Sequence, residues 1–351
     1  MDALLSFRPV LSEKMMPLAR PLGADVEAAT EILVEAVVQV SNFKEEGFPL
    51  APLVFVGREL KELLEGTNGS SPIELGSGPC TMQTVRVALK SCAPLAEGRQ
   101  WAIYLLIREG QLRFGIFCTD RSPLRFTSFE AIRLLPEDGP PLVGITQLGE
   151  SVVEVRGSAG AHLYFDFSGS VDLASNPMRV IKSFVHSVTR DVKEDLRPRL
   201  KAFYYRLGVD VISGGHGALV AVLDHRQHPP DLLMDGIWLG EPIDLGERAL
   251  RYEAHHSEAD ALALVAYGSL FRRMVGMDGI TVFGSDGRLL GYNCFIHQQI
   301  IGSPTRQVVG GARRRAFEVL CRELGRSIAA VLYRSRDGAA ECRLAVEPEW
   351  R

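Results

Sequence analysis

The sequence predicts an α+β domain built on a mainly antiparallel sheet over residues 1–172, followed by an α/β domain with a mixed central sheet flanked by helices over residues 173–351. Three observations predict it. The first half carries short β-branched or aromatic runs separated by Gly, Pro and Asp turns. The second half alternates such runs with segments of helical period. A chain of 351 residues, at roughly 150 per domain, suits two domains.

Composition narrows the function classes. Hydrophobic residues at 46% and charged residues at 23% describe a folded globular chain, not a disordered or rod-like one. A net charge of −4 offers no global field to a phosphate backbone or an anionic bilayer. Neither duplex nucleic acid nor membrane is therefore an expected partner, and any anion site must be local. The longest apolar runs, Ala102-Ile-Tyr-Leu-Leu-Ile107 and Ala218-Leu-Val-Ala-Val-Leu223, are about a third of the ~20 residues a membrane helix needs. Met1 to Arg8 has no basic head and no long apolar stretch, so no secretory leader is expected and a cytoplasmic location is. The cysteines at 80, 92, 118, 294, 321 and 342 form no C-x-x-C pair and sit among apolar neighbours, which suits reduced thiols in a core.

In chain order, Asp25 is placed to cap a helix whose apolar face is Val26, Ala29, Leu33, Ala36, Val37 and Val40. Strands are expected at Thr84–Lys90, Ala102–Ile107, Leu112–Cys118, Ser151–Arg156 and His162–Phe167. The Gly-rich stretches Gly66–Ser71 and Gly76–Pro79 lack the phosphate-loop spacing and read as loops. A boundary is expected between Gly169 and Pro177, with Asn176 as cap and Pro177 in the first helical position. The long helix that follows runs from Val180 to Leu196 until Pro198 kinks or breaks it, and Leu200, Phe203 and Leu207 resume its face. Beyond it come a strand at Gly217–Leu223, a loop through His228, a helix from Ser257 to Leu270, and strands at Gly279–Phe283 and Leu289–Ile296. A helix at Ala312–Leu324 and a strand at Ser327–Tyr333 complete the order.

The most informative segment for chemistry is Gly310-Gly-Ala-Arg-Arg-Arg-Ala316. Glycines ahead of a helix bare backbone N–H groups, and Arg313, Arg314 and Arg315 supply oxygen-binding forks where the helix dipole disfavours cations. An anion offsets that repulsion, so the segment describes a phosphate site. Asp278-Gly279-Ile280 places a carboxylate at the mouth of a strand, with a glycine that lets a ligand approach the backbone. His225 and His228, flanked by Asp224 and Asp231, and the adjacent His255 and His256, lack metal-protease spacing and read as surface residues. No metal motif, hydrolase elbow or dinucleotide fingerprint is found.

Taken in order, Gly217–Leu223, Gly240-Glu-Pro-Ile-Asp244, Met277-Asp-Gly-Ile280, Tyr292-Asn-Cys-Phe-Ile296 and Gly311-Ala-Arg-Arg-Arg-Ala316 resemble the diadenylate cyclase (DAC) domain, which makes cyclic di-AMP from two ATP molecules. The resemblance spans residues about 195–345 and leaves the first half unexplained. It implies that Phe295 and Ile296 sandwich an adenine, that Gly311 and Ala312 offer backbone donors, that Arg313 and Arg315 clamp phosphate, and that Asp278 meets ribose or a cation. Gly240–Asp244 would be the family's G-x-P-x-D turn. Where synthetic members carry a metal-binding Ser-Glu-Glu, this chain has Tyr333-Arg334-Ser335-Arg336, so Arg334 would hold phosphate directly. Arg314 stands at the family's central histidine, and Ile280, in place of a small residue, would narrow the space near the sugar.

This pattern is similar to the DACNV family of probable nucleotide sensors of bacterial signalling and conflict systems. The expected function is therefore a non-catalytic sensor of an adenine nucleotide or cyclic (di)nucleotide, with no cofactor required. The first alternative is an active diadenylate cyclase, with Asp278 holding Mg²⁺ or Mn²⁺ and Glu341 or Asp337 supplying the missing acid. The second is an interaction module without a ligand. Domains of this type associate face to face, so a homodimer is also expected.

Overall fold

The structure is a computed structural model. It describes residues 7–346 apart from 24, 42, 46–47, 50, 120–127, 133–134, 137, 150–151, 168–176, 214–215, 228, 234, 256, 298–310 and 337. The chain divides into two compact units, the first comprising Met1–Arg121 and Phe126–Ser170 and the second including Val171–Arg351. The expected boundary and its cap Asn176 lie outside the described residues. Pro177 does open a helix.

The first unit begins with α1 (Arg8–Ala19) and α2 (Val26–Ser41), the latter capped as its sequence requires: Ala28 N–H donates to Asp25 Oδ1 at 2.9 Å. A two-residue ladder pairs β1 (Lys44–Glu45) with β2 (Phe48–Pro49). Then come β3 (Leu53–Gly57), α3 (Leu60–Thr67), β4 (Ser70–Pro79), α4 (Met82–Cys92), β5 (Trp101–Arg108), β6 (Gln111–Cys118), α5 (Ser128–Ala131), β7 (Val143–Gly149), β8 (Val152–Gly157) and β9 (His162–Asp166). The sheet order is β4-β6-β5-β3-β7-β8-β9, antiparallel except for β3 beside β5. Central β3 is buried on both faces. Val54 and Val56 face a cluster with α1, α2 and α4, whereas Leu53 and Phe55 face one with Leu63, Phe129 and Ile132.

Two expectations fail here. Thr84–Lys90 is helix α4, because Thr81 caps it (Thr84 N–H to Oγ1, 3.4 Å) and Val85, Ala88, Leu89 and Cys92 bury one face at helical spacing, leaving Val87 46% exposed. The Gly-rich stretches are not simple loops. Gly66 belongs to α3, and Gly76–Pro79 closes β4, an exposed edge strand whose glycines admit Phe114 and Thr84 from neighbouring elements.

The second unit comprises α6 (Pro177–Val188), α7 (Arg197–Ser213), β10 (Ala218–Leu223), β11 (Asp235–Asp244), α8 (Leu245–His255), α9 (Glu258–Gly276), β12 (Ile280–Gly284), β13 (Arg288–Phe295), α10 (Ala312–Cys321), β14 (Ile328–Arg334) and β15 (Ala340–Leu344). Its mixed sheet runs β11-β13-β12-β10-β14-β15, with only β10 and β12 parallel. All six β10 residues are buried, Ala218, Val220 and Val222 toward α6, α7 and α9, and Leu219, Ala221 and Leu223 toward α10. The helix expected to run to Leu196 ends at Val188, and Pro198 sits at the start of α7, where its missing N–H costs nothing. Gly240–Asp244 is no free turn. It forms the irregular half of β11, after which Asp244 Oδ1 accepts from Gly246 N–H at 2.7 Å and starts α8.

Candidate functional site

Because β10 and β12 are parallel, with Val220 opposite Thr281, both begin at the same edge of the sheet. Their antiparallel neighbours finish there, Cys294 of β13 opposite Ile280 and Arg334 of β14 opposite Ala218. Gly217, Asp278, Phe295 and Arg334, far apart in the chain, thus meet along one line.

Arg313, in the first turn of α10, reaches this edge. Its Nη2 donates to Asp278 Oδ1 at 2.8 Å, across 35 residues of sequence. Asp278 is 87% exposed, so the pair adds little stability; its consequence is to fix where the guanidinium lies. Arg313 rests on the backbone of Gly217, where a Cβ would come within 2.6 Å of Nη1, and its buried Nε has no partner among the described residues. At the Gly311 end of α10, the amides of Ala312, Arg313 and Arg314 precede the first intrahelical bond, Arg315 N–H to Gly311 O at 3.1 Å. Gly311 and Ala312 are exposed, as is Arg315, which has no side-chain partner among the described residues. Gly310 lies outside them.

The remaining predicted residues divide. Phe295 is 45% exposed at the end of β13, whereas Ile296 packs against the α10-side core, so the two do not form an adenine sandwich. Gly279 has φ +91°, and a Cβ there would stand 2.9 Å from the backbone of Asn293. The approach that demands glycine is thus made by β13 and not by a ligand. Ile280, 2% exposed, lies in the α10-side core and narrows no sugar site.

Arg314 turns away from the edge. It pairs with Glu318 at 2.8 Å and Glu341 at 2.6 Å, stacking over Phe317 and Tyr333, while Arg343 joins the same two carboxylates. The Arg343 hydrogen bond holds Glu318 below the usual carboxylate range. Arg314 therefore ties α10 to β15 and is not a phosphate ligand. Glu341, a candidate for the missing acid, is committed to both arginines; Asp337 lies outside the described residues. Arg334, 5% exposed, donates Nε to Ile212 O at 2.8 Å and Nη1 to His216 O at 2.5 Å, so its guanidinium closes the C-terminal end of α7 and does not face a ligand.

Beside the edge, on the α7 and α9 face, lies a cleft of about 360 Å³ that the sequence did not reveal. Ala218, Val211 and Val275 contribute its apolar surface, and His216, Arg272 and Arg273 its basic groups, with Asp210 also lining it. Gly276 lines it too, two residues ahead of Asp278. The available signal was an Arg-Arg pair in the last turns of a helix, five residues before Asp278.

At the opposite edge, Asp224 and Ser285 follow the ends of β10 and β12, and His225 Nδ1 lies 3.2 Å from Asp191 Oδ2. Asp191, Asp224 and His225 cluster closely enough to hold an ion. Arg190 already bridges the two carboxylates, Nη2 standing 2.7 Å from Asp191 and 2.9 Å from Asp224. The hydrogen bond from Arg226, with help from Arg190, holds Asp224 far below the usual carboxylate range. His225 is exposed, as expected of a surface residue, and also joins this cluster. His228 and His256 lie outside the described residues.

The residues do not fit a catalytic Mg²⁺ or Mn²⁺ at the Asp278 edge. Asp278 already faces a guanidinium, and among the described residues the acidic–histidine group compact enough for an ion is at the other edge. No family model matches the chain, and no curated protein matches its sequence. No helix among the described residues is long and apolar enough to cross a membrane.

Proposed function

We propose that the second unit binds an adenine nucleotide or cyclic (di)nucleotide at the Asp278–Arg313 edge without transforming it, as the resemblance to DAC-type sensors implies. The observation that carries this reading is the 2.8 Å contact between Arg313 and Asp278, which brings together the two motifs to which the resemblance gives phosphate and ribose or cation roles. A guanidinium whose buried Nε has no partner among the described residues, beside bared helix amides, suits a phosphate oxygen. The exposed ring of Phe295, at the same edge, suits a base face, a contact worth about 1–3 kcal/mol in other systems. Two features speak against turnover: Glu341 is held by two arginines, and Arg334 stands where the resemblance places the acid of synthetic members.

Calorimetric titration of the full chain with AMP, ATP and cyclic di-AMP tests the reading. At least one nucleotide is expected to bind, with affinity at least tenfold weaker in Arg313→Ala. Mass spectrometry after incubation with ATP and Mg²⁺ or Mn²⁺ is expected to find no cyclic di-AMP. Product that vanishes in Asp278→Asn would establish the cyclase instead, and no binding by any nucleotide would leave the interaction module.

A further inference from the structure

We infer that the ligand carries a second phosphate beyond the one held by Arg313, and that Arg272 and Arg273 receive it at the mouth of the α7–α9 cleft. This rests on the nucleotide reading above and extends it to residues outside the matched motifs.

The two places are contiguous. Arg313 lies on Gly217 on the α10 side of the sheet, and the next residue, Ala218, points to the opposite side and lines the cleft, so the two places flank the start of β10. On the β12 side, Gly276 lines the cleft and Asp278 holds Arg313. A ligand seated on Arg313 thus needs to extend only across the start of β10 to reach the cleft.

The charges there are uncompensated. Arg272 and Arg273 are exposed, and neither has a hydrogen-bond or ion-pair partner among the described residues. Asp278 neutralises Arg313, and Asp210 supplies one carboxylate to the cleft, so Arg272, Arg273, Arg313 and Arg315 leave a local positive surplus in a chain of net charge −4. A single phosphate on Arg313 leaves the α9 arginines unanswered; a second phosphate answers them with bidentate contacts. The apolar surface of Val211, Ala218 and Val275 lowers the local dielectric and strengthens those contacts.

A linear polyphosphate such as ATP and a cyclic dinucleotide share this chemistry, and titration separates them. The wild-type chain is expected to bind ATP, cyclic di-AMP or both at least tenfold more tightly than AMP. In Arg272→Gln/Arg273→Gln that preference should fall to within about twofold, with AMP affinity unchanged, whereas Arg272→Lys/Arg273→Lys should retain most of it. A loss confined to ATP identifies a linear chain, and one confined to cyclic di-AMP a second phosphodiester. Equal weakening of AMP and the larger ligands, or no weakening at all, overturns the inference while Arg313→Ala still reports on the underlying site. If none of the three ligands binds wild-type protein, both readings fall. The two arginines are exposed, so an unchanged melting temperature verifies that the variants fold.

Discussion

Gly217 and Gly279 lie at the starts of adjacent strands and are constrained for different reasons. At Gly279 the backbone has φ +91° and β13 leaves no room for a Cβ. Gly279→Ala is therefore expected to destabilise the fold by roughly 2–4 kcal/mol, from left-handed strain plus the clash with Asn293, as read by urea denaturation. Gly217 has no such backbone demand, and the atom its Cβ would strike first is Arg313 Nη1, the end of a flexible side chain. Gly217→Ala should lower nucleotide affinity about tenfold, roughly 1.4 kcal/mol, with a smaller loss of stability than Gly279→Ala. Equal stability losses with unchanged affinity would place Gly217 in the scaffold alone. The sequence showed both glycines but not which neighbour each one admits, because those neighbours, Asn293 and Arg313, come from other strands and helices.

Helix α10 shows how one element splits its side chains between two tasks. Arg313 faces the sheet edge, while Arg314 joins Glu318, Glu341 and Arg343 over Phe317 and Tyr333. Arg314→Gln should cost about 1–3 kcal/mol of stability, since it leaves partly buried carboxylates short of a donor, and should leave nucleotide affinity within about twofold. A tenfold affinity loss would return Arg314 to the ligand. Composition alone does not distinguish three consecutive arginines; the 3.6-residue pitch and the position of β15 give Arg313 and Arg314 different neighbours. The same blindness to period turned α4 into a strand, because Thr84, Val85 and Val87 are β-branched, Val85, Val87 and Leu89 alternate, and the cap at Thr81 carries no strand signal. Strands β5, β6, β8, β9, β10, β12, β13 and β14 were legible because their apolar runs are bounded by clear turns. Edge strands β4 and β11, largely exposed, carry too little apolar pattern to be seen.

For the whole molecule, the change of pattern between the two halves was legible and corresponds to two units with separate cores. The convergence of distant motifs on one edge follows from β10 and β12 running parallel, a topological fact that no local pattern contains. The acid response also belongs to this scale. Asp224 and Glu318 are held below their ordinary values of 3.8 and 4.5, by hydrogen bonds from Arg226 and Arg343 respectively. Groups with depressed folded-state values stabilise above the ordinary value and lose that contribution as pH falls through the folded-state one. The urea midpoint is thus expected to fall below about pH 4.5, and less steeply in Glu318→Gln than in the wild type; parallel falls would remove Glu318 from the cause.

Cys294 sits on β13 one residue before Phe295, wholly buried, with its thiol pushed up to about 11 by burial and covered by the backbone of β11 at Gly236. An alkylating reagent needs the thiolate, and needs β11 to peel away first. The rate at which this one sulfur is modified is therefore a built-in clock for opening of the β11–β13 border, and a base resting on the neighbouring ring should slow it.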